Sequence, residues 1–423
     1  MPFSPKRLAA HVILLTLLVP VLAACGGAPA TTPTSAPVAT TNAPVATTAP
    51  VATTAPISDT TITTTTAPIS DTTTTTTTAP ISDTTTTTTT TSFTPRPVTA
   101  KLAGSGASFP DPIYQRWIKD YKAIVPTVQI DYQSVGSGQG RKDFFGNVTD
   151  FGGSDKFASD KELADYGKPV LHIPLVLGAV VATYNLPGVA KLQFSGETLV
   201  KIYQGTITSW DDAAIAADNP GVTLPKLAIT PVYRSDGSGT TSIFTNYLSS
   251  VSADWKTKIG AGDSVSFPAG IGGEKNPGVA AAVSQTEGAI GYVELIYAVA
   301  NKLPVPAIKN AAGAYVVPSL ESVSAAADAY LSQTPDDLRT NIVNPPTGAT
   351  AYPIAGYTWV LVRQEQTDEA KAQALVDYLY WGLTQGGASA KTLGYSPLPE
   401  SVRTRAIGLL GKITYNGAPV LVK

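Results

Sequence analysis

The sequence predicts an α/β fold of two lobes behind an N-terminal tether. Three observations predict it. Strand-like and helix-like segments alternate through residues 98–423, the order that produces mainly parallel sheets with crossover helices. That stretch is longer than a single hydrophobic core usually serves. Residues 26–97, by contrast, hold too little apolar side chain to offset the entropy of ordering.

Composition removes several function classes. The 29 Lys and Arg nearly balance the 31 Asp and Glu, so there is no broad basic field for nucleic acid or an anionic membrane. Hydrophobic residues make up 43% of the chain, enough for a substantial core. A single cysteine excludes an internal disulfide and a cysteine-built zinc site. The two histidines are His11, which lies in the leader, and His172, in the strand-like run "VLHIPLVL". One histidine in the folded part argues against a histidine metal cluster or a Ser-His-Asp triad, and His172 is expected to be structural.

Residues 1–25 have the pattern of a lipoprotein signal. Lys6 and Arg7 precede the short apolar stretch "LAAHVILLTLLVPV", and "LAAC" ends at the lone cysteine, Cys25. The apolar stretch is too short for a comfortable mature span. Cleavage would leave Cys25 as a lipid-bearing N-terminus, and the two chains of a diacylglycerol hold where one would not. Residues 26–97 then repeat "APVATT" from Ala43 and Ala49, and "APISDT" from Ala55, Ala67 and Ala79, amid near-continuous Thr. As a coil this linker would span roughly 50 Å, and fully extended about 200 Å.

Within 98–423 the elements read in order. Ile113, Trp117 and Tyr121 recur every fourth residue in "PDPIYQRWIKDYKAIVP", a helix; Val128, Ile130 and Tyr132 alternate with polar residues in "TVQIDYQS", a half-buried strand. "GSGQG" leads to a helical "RKDFFGNV". "KLAITPVYR" reads as a strand and "TSIFTNYL" as the helix after it; "DEAKAQALVDYLYWGLTQ" reads as a strongly amphipathic helix.

Three stretches of glycine and hydroxyl residues precede helices: "GSGASFP" at 104–110, "VGSGQG" at 135–140 and "RSDGSGTT" at 234–241. A helix start offers free N–H groups and a partial positive charge, and small residues let an anion approach them. Arg234 adds a full charge to the third. No GxxxxGK[ST], GxGxxG or GxSxG occurs in these stretches, so a P-loop, a dinucleotide fingerprint and a nucleophile elbow are all absent. Ser137 and Ser238 lack a base. "DFGGSD" places Asp155 near the same loops. A carboxylate suits an anion that still carries a proton: hydrogen phosphate can donate to it, whereas sulfate cannot.

These residues resemble the PstS-type phosphate-binding lipoproteins of bacterial phosphate ABC importers. The resemblance covers about 101–416 and rests on "GSGASFPDPIYQRW", "DFGGSD", "IYQGTITSWDDAAI", "YRSDGSGTTSIFTNYL", "GAIGYVE" and "YSPLPESV". It implies a two-lobe type II periplasmic-binding-protein fold, with mainly parallel-sheet lobes joined by two crossing strands. "LGAVVATYN" and "PIAGYTWVLV" are the expected crossings, with 98–181 and 356–423 as lobe 1 and 182–355 as lobe 2. It also implies the site: Ser108 and Phe109 donating from the first loop, Ser137 from the second, Asp155 accepting the ligand's proton, Arg234 held by Asp236, and Ser238, Gly239 and Thr240 donating from the third. Relatives often carry a second Ser where this chain has Gly138, so the number of bonds from that loop is left open. The implied function is capture of inorganic phosphate for an ABC permease by a monomer anchored through Cys25 on the extracytoplasmic face, with no enzyme activity, cofactor, metal or nucleic-acid partner. Another oxyanion, such as sulfate or molybdate, or phosphate sensing at the cell surface, is the alternative.

Overall fold

The computed structural model describes residues 94–421. The signal, Cys25, His11 and the linker up to residue 93 lie outside the described residues. Among the described residues no helix is long and apolar enough to cross a membrane.

The fold is built on one nine-stranded sheet. Its strands are β1 (Ala100–Gly106), β2 (Val128–Ser134), β3 (Phe151–Ser154), β4 (Val170–Tyr184), β5 (Thr230–Arg234), β6 (Ile271–Gly273), β7 (Ala289–Glu294), β8 (Ala355–Arg363) and β9 (Ser396–Pro397). The order is β2-β1-β3-β8-β4-β7-β5-β6, with β9 beside β4. At one end β1 pairs in parallel with β2 and β3; at the other β5 pairs in parallel with β6 and β7. The centre is antiparallel, which the expectation of mainly parallel pairing did not specify. There the chain crosses in opposite directions, so the two neighbouring strands must oppose each other.

β4 joins the ends. Its residues Val170 to Ala179 pair with β8, and Val180 to Tyr184 with β7. It is buried almost throughout, which explains a run of apolar residues with no alternation. Pro174 lies inside it and lacks an N–H. The register with β8 shifts by one at that point, Thr358 opposing Val176 and Trp359 opposing Pro174, which accommodates the missing donor.

Five helices matter below: α1 (Asp111–Ile124), α2 (Ser137–Phe145), α3 (Gly239–Val251), α4 (Lys275–Gln285) and α5 (Glu369–Thr384). α1 buries Ile113, Trp117 and Tyr121 as its spacing requires, and β2 alternates buried and exposed. α2 starts earlier than expected: Gly138 and Gly140 lie inside it. A Cβ on Gly140 would stand 2.3 Å from Gly106 Cα, so this glycine lets the helix rest directly on β1. α5 is not simply amphipathic. From Ala372 onward most of its positions are buried, Asp377 among them. Asp377 is neutralised by Arg96, which approaches it with Nε at 3.2 Å and Nη2 at 2.6 Å and donates Nη1 to Val420 O at 2.7 Å. His172 is structural: it is buried, and its Nε2 accepts the Ala158 N–H at 3.0 Å.

Candidate functional site

The first loop follows β1. Gly106 has φ +150°, and a Cβ there would lie 2.0 Å from Gly153 O, so only glycine lets β1 and β3 touch before the turn. Tyr297 Oη donates to Ser108 O and Tyr395 Oη to Phe109 O, both at 2.6 Å. Fixing the Ser108 carbonyl turns the Phe109 N–H the opposite way across a trans peptide. Ser108 and Phe109 are buried.

The second loop brings Ser137 onto Asp155. Ser137 Oγ accepts the Asp155 N–H at 3.3 Å and lies 3.4 Å from its Oδ2. Gly138 N donates to Gly237 O at 2.9 Å, and a Cβ on Gly138 would stand 3.1 Å from Gly237 Cα. Gly138 thus allows backbone contact between the second and third loops.

Arg234 ends β5, and its side chain is 1% exposed. Asp236 grips it as a fork, Nε to Oδ1 at 2.7 Å and Nη2 to Oδ2 at 2.5 Å. Asp236 also accepts the Lys275 N–H at 2.9 Å. This leaves Nη1 directed to Thr240 Oγ1, at 3.3 Å. Ser238 caps α3, its Oγ accepting the Thr241 N–H at 3.0 Å. The cap leaves the Gly239 and Thr240 N–H groups without an intrahelical acceptor. A Cβ on Gly239 would lie 2.5 Å from Asp155 Cβ and 2.6 Å from Ser137 Oγ, so a glycine is needed where the third loop meets the second and Asp155.

All nine residues expected at the site, Ser108, Phe109, Ser137, Asp155, Arg234, Asp236, Ser238, Gly239 and Thr240, therefore converge, with helix starts around them. The two carboxyl groups are shifted in opposite directions. Burial pushes Asp155 up to about 7, although the nearby Thr358 hydroxyl, Arg234, Ser137 and Arg141 pull it down. Its Oδ1 is buried and has no hydrogen-bond partner. Asp236 goes the other way: burial pushes it up, but the bonds and charge of Arg234 hold it below the usual carboxylate range. The arrangement brings together the Arg234 guanidinium, several neutral donors and one buried carboxyl group, with Arg141 close behind.

Sequence reasoning missed Asn276, which bonds both Ser108 and Thr240, and Thr358, which stands beside Asp155. "GIGGEKNPG" at 270–278 carries the signal that marked the other loops, glycines ahead of a helix, and would have found Asn276. Nothing in the apolar β8 sequence marks Thr358. Arg141 and Asp263, an ion pair that ties α2 to the segment holding Ser238, were missed as well.

The profile of the PBP superfamily domain matches residues 63–381. The chain is 43% identical over 306 residues to the phosphate-binding protein PstS of Xylella fastidiosa strain 9a5c, covering 72% of this chain and 83% of that one. The chain belongs to the PstS family. PstS of Methanocaldococcus jannaschii is 39% identical over 331 residues, covering 73% and 85%. Among solved structures, the phosphate-bound periplasmic protein PfluDING matches with a TM-score of 0.58 at 23% identity, covering 72% of this chain and 92% of that one. A phosphate-binding protein from Stenotrophomonas maltophilia matches with a TM-score of 0.59 at 22% identity, covering 73% and 93%. The architecture is thus the two-lobe fold of the periplasmic binding proteins.

Proposed function

We propose that this protein captures inorganic phosphate outside the cytoplasm and passes it to an ABC permease. One observation carries the reading: a buried carboxylate with a partnerless Oδ1, Asp155, stands where Arg234 and the starts of α2 and α3 meet. An acceptor in that position suits a hydrogen-bearing oxyanion. The names of the relatives support phosphate in particular. Ser108, Phe109, Ser137, Ser238, Gly239 and Thr240 supply donors, Arg234 supplies charge, and Asp236 orients it.

In this reading 98–181 with 356–423 form lobe 1 and 182–355 form lobe 2. The switch of β4 from β8 to β7 after Ala179 supports that division. Hinge closure about the crossing strands reports loading to the permease. A monomer held by lipid on Cys25 presents the lobes to it, and the protein binds without turning its ligand over.

Calorimetry of the full chain with phosphate, arsenate, sulfate and molybdate tests the proposal. Phosphate and arsenate are expected to bind, and sulfate to fail at neutral pH. Tight sulfate binding with weak phosphate binding would overturn the assignment, and hydrolysis of a phosphomonoester would overturn the binding-protein reading.

A further inference from the structure

We infer that Asn276 fixes the polarity of the anion site by dictating which way two of its hydroxyls donate. The inference deepens the phosphate reading and rests on it. Asn276 sits in the first turn of α4 and is fully buried. Its Oδ1 accepts the Glu294 N–H at 2.9 Å. A backbone N–H can only donate, so the amide oxygen must face it and the NH2 must face away.

That NH2 reaches both hydroxyls. Asn276 Nδ2 donates to Ser108 Oγ at 3.0 Å and to Thr240 Oγ1 at 3.1 Å. Each oxygen receives a second donor as well. Ser108 Oγ accepts the Asn276 backbone N–H at 3.2 Å, and Thr240 Oγ1 accepts Arg234 Nη1 at 3.3 Å. A hydroxyl oxygen has two lone pairs and one hydrogen. Groups that cannot accept occupy the lone pairs of both hydroxyls, so each has only its hydrogen left to offer.

The consequence is selectivity. Free to rotate, Ser108 and Thr240 could accept from a ligand as readily as donate to it. Held by Asn276, they donate only, as an oxyanion rich in acceptors requires, and acceptance is left to Asp155. Asn276 is thus a positioning residue that acts through Ser108 and Thr240.

The test is a double-mutant cycle read by phosphate calorimetry on the full chain, with thermal melts as a folding control. Asn276→Ala alone is expected to weaken phosphate binding about 30-fold. When Ser108→Ala is already present, the same change should cost at least about 5-fold less, because one of the hydroxyls it orders is gone. Asn276→Asp keeps the shape and still accepts the Glu294 N–H, but it offers the hydroxyls an acceptor and turns their hydrogens inward. It is expected to fold and to lose phosphate by more than about 100-fold. Losses from Asn276→Ala and Ser108→Ala that simply multiply, or an Asn276→Asp chain that binds like wild type, overturn the inference while the phosphate reading stands. A wild type that ignores phosphate brings down both.

Discussion

Arg141 and Asp263, 122 residues apart in sequence, form a salt bridge, and Lys156 reaches the same carboxylate at 3.3 Å. The pair ties α2 to the segment that holds the third loop. Asp263 O accepts the Ser238 N–H at 2.8 Å, while Arg141 Nη1 donates to Ser154 Oγ at 3.2 Å, next to Asp155. By the proposed division Arg141 and Lys156 belong to lobe 1 and Asp263 to lobe 2, so in that proposal the pair would act as a latch between the lobes. Asp263→Asn should leave the fold intact, because Arg141 keeps Glu162 at 2.9 Å. It should weaken phosphate binding about 5–20-fold, mainly through faster release. Stopped-flow release measurements check this, and an unchanged off-rate refutes the latch.

Asp155→Asn should shift selectivity. The amide can donate where the carboxylate only accepts, so sulfate should gain on phosphate by at least about 10-fold. Paired titrations at pH 7 measure the ratio, and a ratio equal to wild type removes the proton-reading role from Asp155.

The same substitution should change how stability depends on pH. Burial raises the Asp155 pKa from 3.8 to about 7. Between those values the folded state holds a proton that the unfolded state has released, so this group's contribution falls as pH rises from about 4 to 7 and is then flat. His172 acts oppositely. Burial lowers it from 6.5 to about 4, so its contribution falls as pH drops through that interval. Below pH 6.5 the two oppose each other, and the difference between Asp155→Asn and wild type isolates the Asp155 part. Without phosphate, Asp155→Asn should be nearly as stable as wild type at pH 4 and more stable at pH 8, by on the order of a few kcal/mol. Chemical denaturation at both pH values decides it, and a constant gap contradicts the linkage.

Arg234→Ala removes the guanidinium and leaves Asp236 with the Lys275 N–H. Phosphate affinity should fall at least about 100-fold, as expected for losing a charged donor from a dry site. Calorimetry paired with circular dichroism checks binding against folding. A loss of less than threefold in a folded chain would mean that Arg234 does not hold the ligand.

Much of this was legible in the sequence because its signals are local. Ile113, Trp117 and Tyr121 mark a buried helix face by spacing alone, and Ser137, Arg234 and Ser238 stand out because small residues surround them. What escaped depends on partners distant in the chain. α2 begins at Ser137 because Gly140 can lie on Gly106, a contact invisible to local pattern. α5 looked amphipathic because nothing nearby announces that Arg96 will neutralise Asp377. Asn276 resembles any polar residue at a helix start until Ser108, 168 residues earlier, is placed against it. In sequence Gly138 leaves the number of bonds from its loop open, and its use appears only when Gly237 is beside it.

The grip of Arg96 on Asp377 and Val420 has a mechanical consequence. A pull applied to the backbone ahead of residue 96 would meet helix α5 and Val420 first, before it reaches β1 and the crossing strands. By the proposed division both anchor points, Asp377 and Val420, lie in lobe 1, which in that proposal leaves lobe 2 outside the path of the pull.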